Sequence, residues 1–138
     1  LDLVKNRHYT MTVENTPTVE FKHEELVQLI ETAIDDAKGK EVTTIDLKGA
    51  ANFADTMIVA SGTSTRHVAS IARTVADKVK EKFAFKALGV EGEDTAEWVL
   101  VDFGDVIVHV MVPATREFYE IEKLWKARPQ GQQEQDAE

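Results

Sequence analysis

Three groups of side chains in this chain have types and spacings suited to chemistry. The first is SGTSTRH, Ser61 to His67, which follows a short apolar run and opens a helical one. Backbone N–H groups in such a turn, at the positive end of a helix, form a cradle for phosphate. The segment lacks the terminal Lys of a P-loop, and one Gly among hydroxyl residues is what any strand-to-helix turn and cap uses. Capping by Thr63 or Ser64 therefore outweighs anion binding, and Arg66 and His67 are read instead as exposed contacts for a partner at the helix start.

The second group is acidic: Asp55, Glu91, Glu93, Asp94, Glu97, Asp102 and Asp105. Metal-dependent nucleotidyl transfer needs carboxylates converging on a divalent cation, commonly two apart on one strand so that both share a face. Asp102 and Asp105 are three apart across Phe103 and Gly104, a turn spacing at which Asp bonds its own backbone. The third group is His67 with His109. Isolated His residues on different elements pack or hydrogen-bond more often than they bind metal, and no HExxH pairing accompanies them. No catalytic residue, metal site or cofactor is expected.

These groups hang on a mixed order of helices and strands. Leu26, Leu29, Ile30, Ala33, Ile34 and Ala37 recur at helical spacing, with Glu24 and Glu25 at the positive end and Lys38 before Gly39 at the other. Val42 to Leu47 and Met57 to Ser61 are short and β-branched, hence strands. A second helix carries Val68, Ile71, Ala72, Val75, Val79 and Phe83 on its apolar face. A short strand near Leu88 to Glu91 precedes EWVLVDFGDVIVHV, two strands joined by a Gly turn, and ATREFYEIEKLW after Pro113 forms one last helix. Alternation puts Trp98, Leu100 and Asp102 on one face of their strand and Val99, Val101 and Phe103 on the other. Neither face is polar, so the strand is either sandwiched or keeps one face for a partner. The fold class is α/β, a single mixed sheet flanked by helices.

Composition narrows the partners. At 138 residues with 43% hydrophobic content the chain is one domain with a real core, and no apolar run approaches the ~20 residues of a membrane span. A reducing, cytoplasmic setting agrees with the absence of Cys. The net charge of −9 argues against sequence-specific or generic nucleic-acid binding and favours a basic protein surface. Residues 1–19 are expected to be a disordered leader, with 1–10 foreign to the natural chain, Met11 its start and His8 without a role. Residues 20–126 are the domain, and 127–138 a disordered polar tail.

The runs ADTMIVASGTSTRHVASIA, GVEGEDTAEWVLVDFGDVIVHVM and REFYEIEKLW, in this order and with these gaps, resemble the ribosomal silencing factor family, also called Iojap-related. The resemblance spans the body from the first helix to Trp125. It implies a nucleotidyltransferase-like mixed α/β fold without established catalysis. It also implies binding to the large ribosomal subunit through large-subunit ribosomal protein number fourteen, which blocks joining of the small subunit and lowers translation when nutrients are short. Phe103 stands where many members have Tyr, and Thr56 where an aromatic is frequent.

A basic partner with apolar groups would match a patch of Trp98, Leu100, Asp102, Phe103 and Asp105, with Trp98 as anchor and the two Asp residues orienting it. Because Trp98 and Phe103 lie on opposite faces, at least one of them packs under a helix. Phe118, Tyr119, Leu124 and Trp125 are expected mostly on a buried helix face, leaving Tyr119 or Trp125 at a rim. A homodimer through the same patch is compatible with this reading. The rival reading is a nucleotidyltransferase-like enzyme using Mg²⁺ and a nucleotide, against which the missing spaced acidic pair counts.

Overall fold

Period-2 alternation in the strands and 3.6-residue periodicity in the two long helices together demand a sheet with apolar side chains on both faces. The computed structural model describes residues 8–10 and 20–126. Its elements in chain order are β1 (His8–Thr10), β2 (Glu20–Lys22), α1 (His23–Asp36), β3 (Lys40–Asp46), β4 (Thr56–Ser61) and α2 (Thr65–Phe83). There follow β5 (Gly89–Glu91), β6 (Trp98–Asp102), β7 (Val106–Met111), α3 (Pro113–Tyr119) and α4 (Ile121–Lys126). The main sheet has the order β3-β4-β7-β6-β5. Its central pair, β4 with β7, is parallel, and the other neighbours are antiparallel. This is the single mixed sheet flanked by helices that the sequence predicts.

The long helices begin where the sequence places donors and acceptors for their free N–H groups. Glu25 reaches back to accept from the Lys22 N–H at 2.8 Å, and Ser64 Oγ accepts from the His67 N–H at 3.1 Å. α2 ends on Ala84, left-handed at φ 56°, with Lys80 and Lys82 in its last turn. Leu26, Ile30 and Ile34 of α1 and Val68, Ile71, Val75 and Val79 of α2 are buried together on one sheet face. They meet there Ile58, Ala60, Val99, Val101, Phe103, Val106, Val108 and Val110. Each large side chain so buried contributes ~1.5–3 kcal/mol of transfer free energy.

All six residues of β4 and of β7 are buried, so both faces of the sheet's centre are covered. On the second face a smaller cluster gathers Ile45, Leu47, Met57, Val59, Ile107 and Met111, and Ile121 and Trp125 of α4 pack against it. That cover lies over the β3 side. Trp98 and Leu100 of β6 are only partly buried on the same face.

Two expectations are corrected. The last helix is not continuous: α3 ends on Glu120, left-handed at φ 48° and ψ 43°, and α4 starts at the next residue. Within the leader expected to be disordered, His8–Thr10 pairs antiparallel with Glu20–Lys22. The remainder of that leader and the tail 127–138 lie outside the described residues.

Gly92, in the loop between β5 and β6, has φ +90°, and a Cβ there would meet the Trp98 carbonyl oxygen at 2.1 Å. Backbone cannot give way as a flexible side chain would. Gly92→Ala is expected to cost about 2–4 kcal/mol, read as a lowered urea midpoint with an unchanged denaturant slope.

Candidate docking face

The side chains that β6 directs away from the helical layer build the candidate site. Trp98 donates its indole N–H to His109 Nδ1 of the neighbouring β7 at 2.9 Å. His109 is buried, and desolvation lowers its pKa from 6.5 to about 4. The imidazole is therefore neutral at neutral pH, with its proton on Nε2 and Nδ1 free to accept, and the indole is held at a fixed angle.

The Tyr119 ring lies 4.9 Å from the Trp98 ring, and Phe118 meets Tyr119 edge-on at 4.8 Å. Phe118 is 78% exposed and Tyr119 53%. Large aromatics so exposed, in contact with one another, form a contiguous apolar patch rather than scattered surface residues. Toward the β6–β7 turn the same face opens into a groove of about 520 Å³ lined by Phe53, Met57, Leu100, Ile107 and His109 together with Glu91 and Asp102. Asp102 Oδ1 accepts from the Gly104 N–H at 2.7 Å, the turn role that its spacing predicts. An anchored indole, exposed rings and carboxylates on one face suit a protein partner with apolar and cationic groups.

Residues 20–138 match the profile of a family described as "Ribosomal silencing factor during starvation". The chain belongs to the ribosomal silencing factor family. Among its relatives is the ribosomal silencing factor of Chromobacterium violaceum, 44% identical over 102 residues, which cover 74% of this chain and 83% of that one. The ribosomal silencing factor of Bacillus subtilis is 36% identical over 104 residues, covering 75% and 87%. A mouse relative, named mitochondrial assembly of ribosomal large subunit protein 1, is 30% identical over 104 residues, covering 74% of this chain and 46% of its own. A crystal structure of a protein from Chromobacterium violaceum superposes with a TM-score of 0.75 at 42% identity, covering 77% of this chain and 88% of that one. Membership of this family gives the chain the role of a ribosomal silencing factor.

Of the residues read from the sequence as silencing-factor contacts, the fold brings Trp98, Leu100, Asp102 and Tyr119 to one face. Asp105 sits at the β6–β7 turn, where its backbone carbonyl accepts from the Asp55 and Thr56 N–H groups at 2.9 and 3.0 Å. Phe103 is a correction. It is 1% exposed, lies on the helical face and packs edge-on against Phe85 at 5.7 Å, because alternation along β6 carries it away from Trp98. Arg66 is exposed but stands on α2, in the layer across the sheet from Trp98. His67 is occupied within the chain: Nδ1 accepts from the Thr63 N–H at 2.9 Å, and Nε2 faces the Ala37 carbonyl at 2.8 Å. The Thr63 and His67 N–H groups of the suspected phosphate cradle are thus engaged by a ring nitrogen and by Ser64 Oγ.

Phe118 and Leu124, expected on a buried face, are exposed, since the break at Glu120 interrupts the spacing from which that face was drawn. Phe118 thereby joins the candidate face, which sequence reasoning missed, as it missed the buried Arg116 on the same helix. Among the described residues, no group of three or more His, Asp or Glu side chains is placed to hold a metal ion.

Proposed function

We propose that the chain binds the large ribosomal subunit through large-subunit ribosomal protein number fourteen and there occupies space that the joining small subunit needs, repressing translation in the cytoplasm when nutrients are limiting. The contiguous patch of Trp98, Tyr119 and Phe118, on the sheet face that also carries Asp102 farther along β6 and Glu91 on β5, supports this reading. Aromatic anchors with charges at their rim are the usual composition of a protein hot spot. The net charge of −9 supports a basic ribosomal protein as partner over bare RNA. Steric exclusion requires occupancy and no turnover, so the chain is proposed to act without catalysis. A second copy seated on the same patch would compete with the ribosome, which makes any homodimer a storage form. Among the described residues no helix is long and apolar enough to cross a membrane.

The deciding experiment is subunit reassociation on a sucrose gradient, with the chain added to separated subunits. The chain is expected to sediment with the large subunit and to suppress joined ribosomes. Full joining at saturating protein, without co-sedimentation, would remove the proposal.

Asp102 supplies a finer test. Asp102→Asn keeps an oxygen for the Gly104 N–H but loses the charge, so the unfolding midpoint should stay within about 0.5 kcal/mol of the parent. Association with the large subunit should slow several-fold at low ionic strength and converge with the parent at high salt. Stopped-flow association rates at two salt concentrations would show it, and equal rates at low salt would exclude Asp102 from the contact.

A further inference from the structure

The aromatic patch stands on two helices too short to hold their own shape. α3 has seven residues and α4 six, and isolated helices of that length are unstable in water. The left-handed Glu120 between them turns the chain, and a Glu has no intrinsic preference for that conformation. Arg116 spans the turn. Its side chain is buried, with Nε and Nη2 on the two carboxylate oxygens of Glu122, the latter bond at 3.0 Å. Nη1 donates to Ser61 Oγ at the end of β4 at 2.9 Å, and Nη2 also reaches Thr43 Oγ1 of β3 at 3.3 Å. One planar guanidinium thus joins α3, α4 and two strands, and it lies three residues before Tyr119, on a neighbouring part of the helix surface.

We infer that Arg116 is a positioning residue for the docking face: through the fork with Glu122 it sets the direction of α3, and so the seat of Tyr119 on Trp98 and the outward aim of Phe118. The inference rests on the docking reading proposed above. The fork geometry, more than the positive charge, does the positioning, because a Lys at this place carries the charge on a single nitrogen and cannot meet both carboxylate oxygens, Ser61 and Thr43 at once.

The test compares the full chain with Arg116→Lys, reading the Tyr119 ring resonances by NMR and the affinity for large subunits by co-sedimentation. In the variant the Tyr119 resonances are expected to move toward solvent-exposed positions, since the ring leaves the field of the Trp98 indole. Affinity should fall about tenfold. In a background carrying both Phe118→Ala and Tyr119→Ala the same substitution should bring no further loss, as an effect exerted through those two rings vanishes with them. Unmoved Tyr119 resonances, unchanged affinity, or an equal loss in both backgrounds would overturn the inference. If Arg116→Lys fails to fold, Glu122→Gln, which keeps the guanidinium and a neutral acceptor, carries the same three readouts. Absence of binding by the parent chain would remove the docking reading instead, and the Tyr119 resonances alone would then decide whether Arg116 seats that ring.

Discussion

Between pH 6.5 and about 4 the domain is expected to lose on the order of 3 kcal/mol of stability through His109 alone. In the folded chain burial lowers this imidazole from 6.5 to about 4, whereas the unfolded chain titrates it at its ordinary value. Across that window the unfolded state takes up a proton that the folded state refuses, so stability present above pH 6.5 drains away as the pH falls. Protonation would also place a hydrogen on Nδ1, which accepts from the Trp98 indole, so the same proton breaks the bond that holds the anchor. His109→Gln removes the titration and retains an acceptor. Its urea midpoint should therefore fall less than the parent's between pH 7 and pH 4, and parallel falls would show that His109 contributes nothing to the acid response.

Replacing Phe118 and Tyr119 together by Ala is expected to weaken large-subunit binding by about a hundredfold while moving the unfolding midpoint little. The stability side follows from exposure: Phe118 and Tyr119 stand 78% and 53% in solvent, and Tyr119 gives up chiefly its ring contact with Trp98. The binding side follows from position, since two adjacent rings on an anchored indole form the apolar centre of the face. A binding titration beside a urea melt separates the two. Arg66→Ala is the internal comparison, because Arg66 projects from the opposite layer. A comparable loss there would relocate the docking face to the helices.

What the sequence discloses is whatever local geometry decides. The alternation of Trp98, Leu100 and Asp102 against Val99, Val101 and Phe103 fixes the faces of β6, and the spacing of Val68 to Phe83 fixes the buried side of α2. Grouping Phe103 with Trp98 ran against that same alternation, and the structure resolves the conflict in favour of the backbone, under Phe85. The break at Glu120 has no local signature, for Glu is an ordinary helix former and the force that turns the chain is tertiary. Arg116 finds Glu122, Ser61 and Thr43, residues 6, 55 and 73 positions away. Read as one helix, the segment buries Phe118 and Leu124; read as two, it exposes them. His109 was legible only as an isolated His. Its role depends on the register that sets Leu100 opposite it and brings Trp98 within reach across β6 and β7. The pairing of β1 with β2 likewise joins residues from separate parts of the chain that no short window displays.

The parallel pairing of β4 with β7 also governs when the domain can exist. Their partners run from Thr56 with Val106 to Ser61 with Met111, each fifty positions apart. Closing so long a loop must precede any reward from the contact, which makes such pairings late and slow events in folding. During synthesis, β4 emerges without its inner neighbour and stays so until Met111 has left the exit tunnel. Until then the centre of the sheet is incomplete, and the face that Trp98 and His109 build across β6 and β7 does not yet exist.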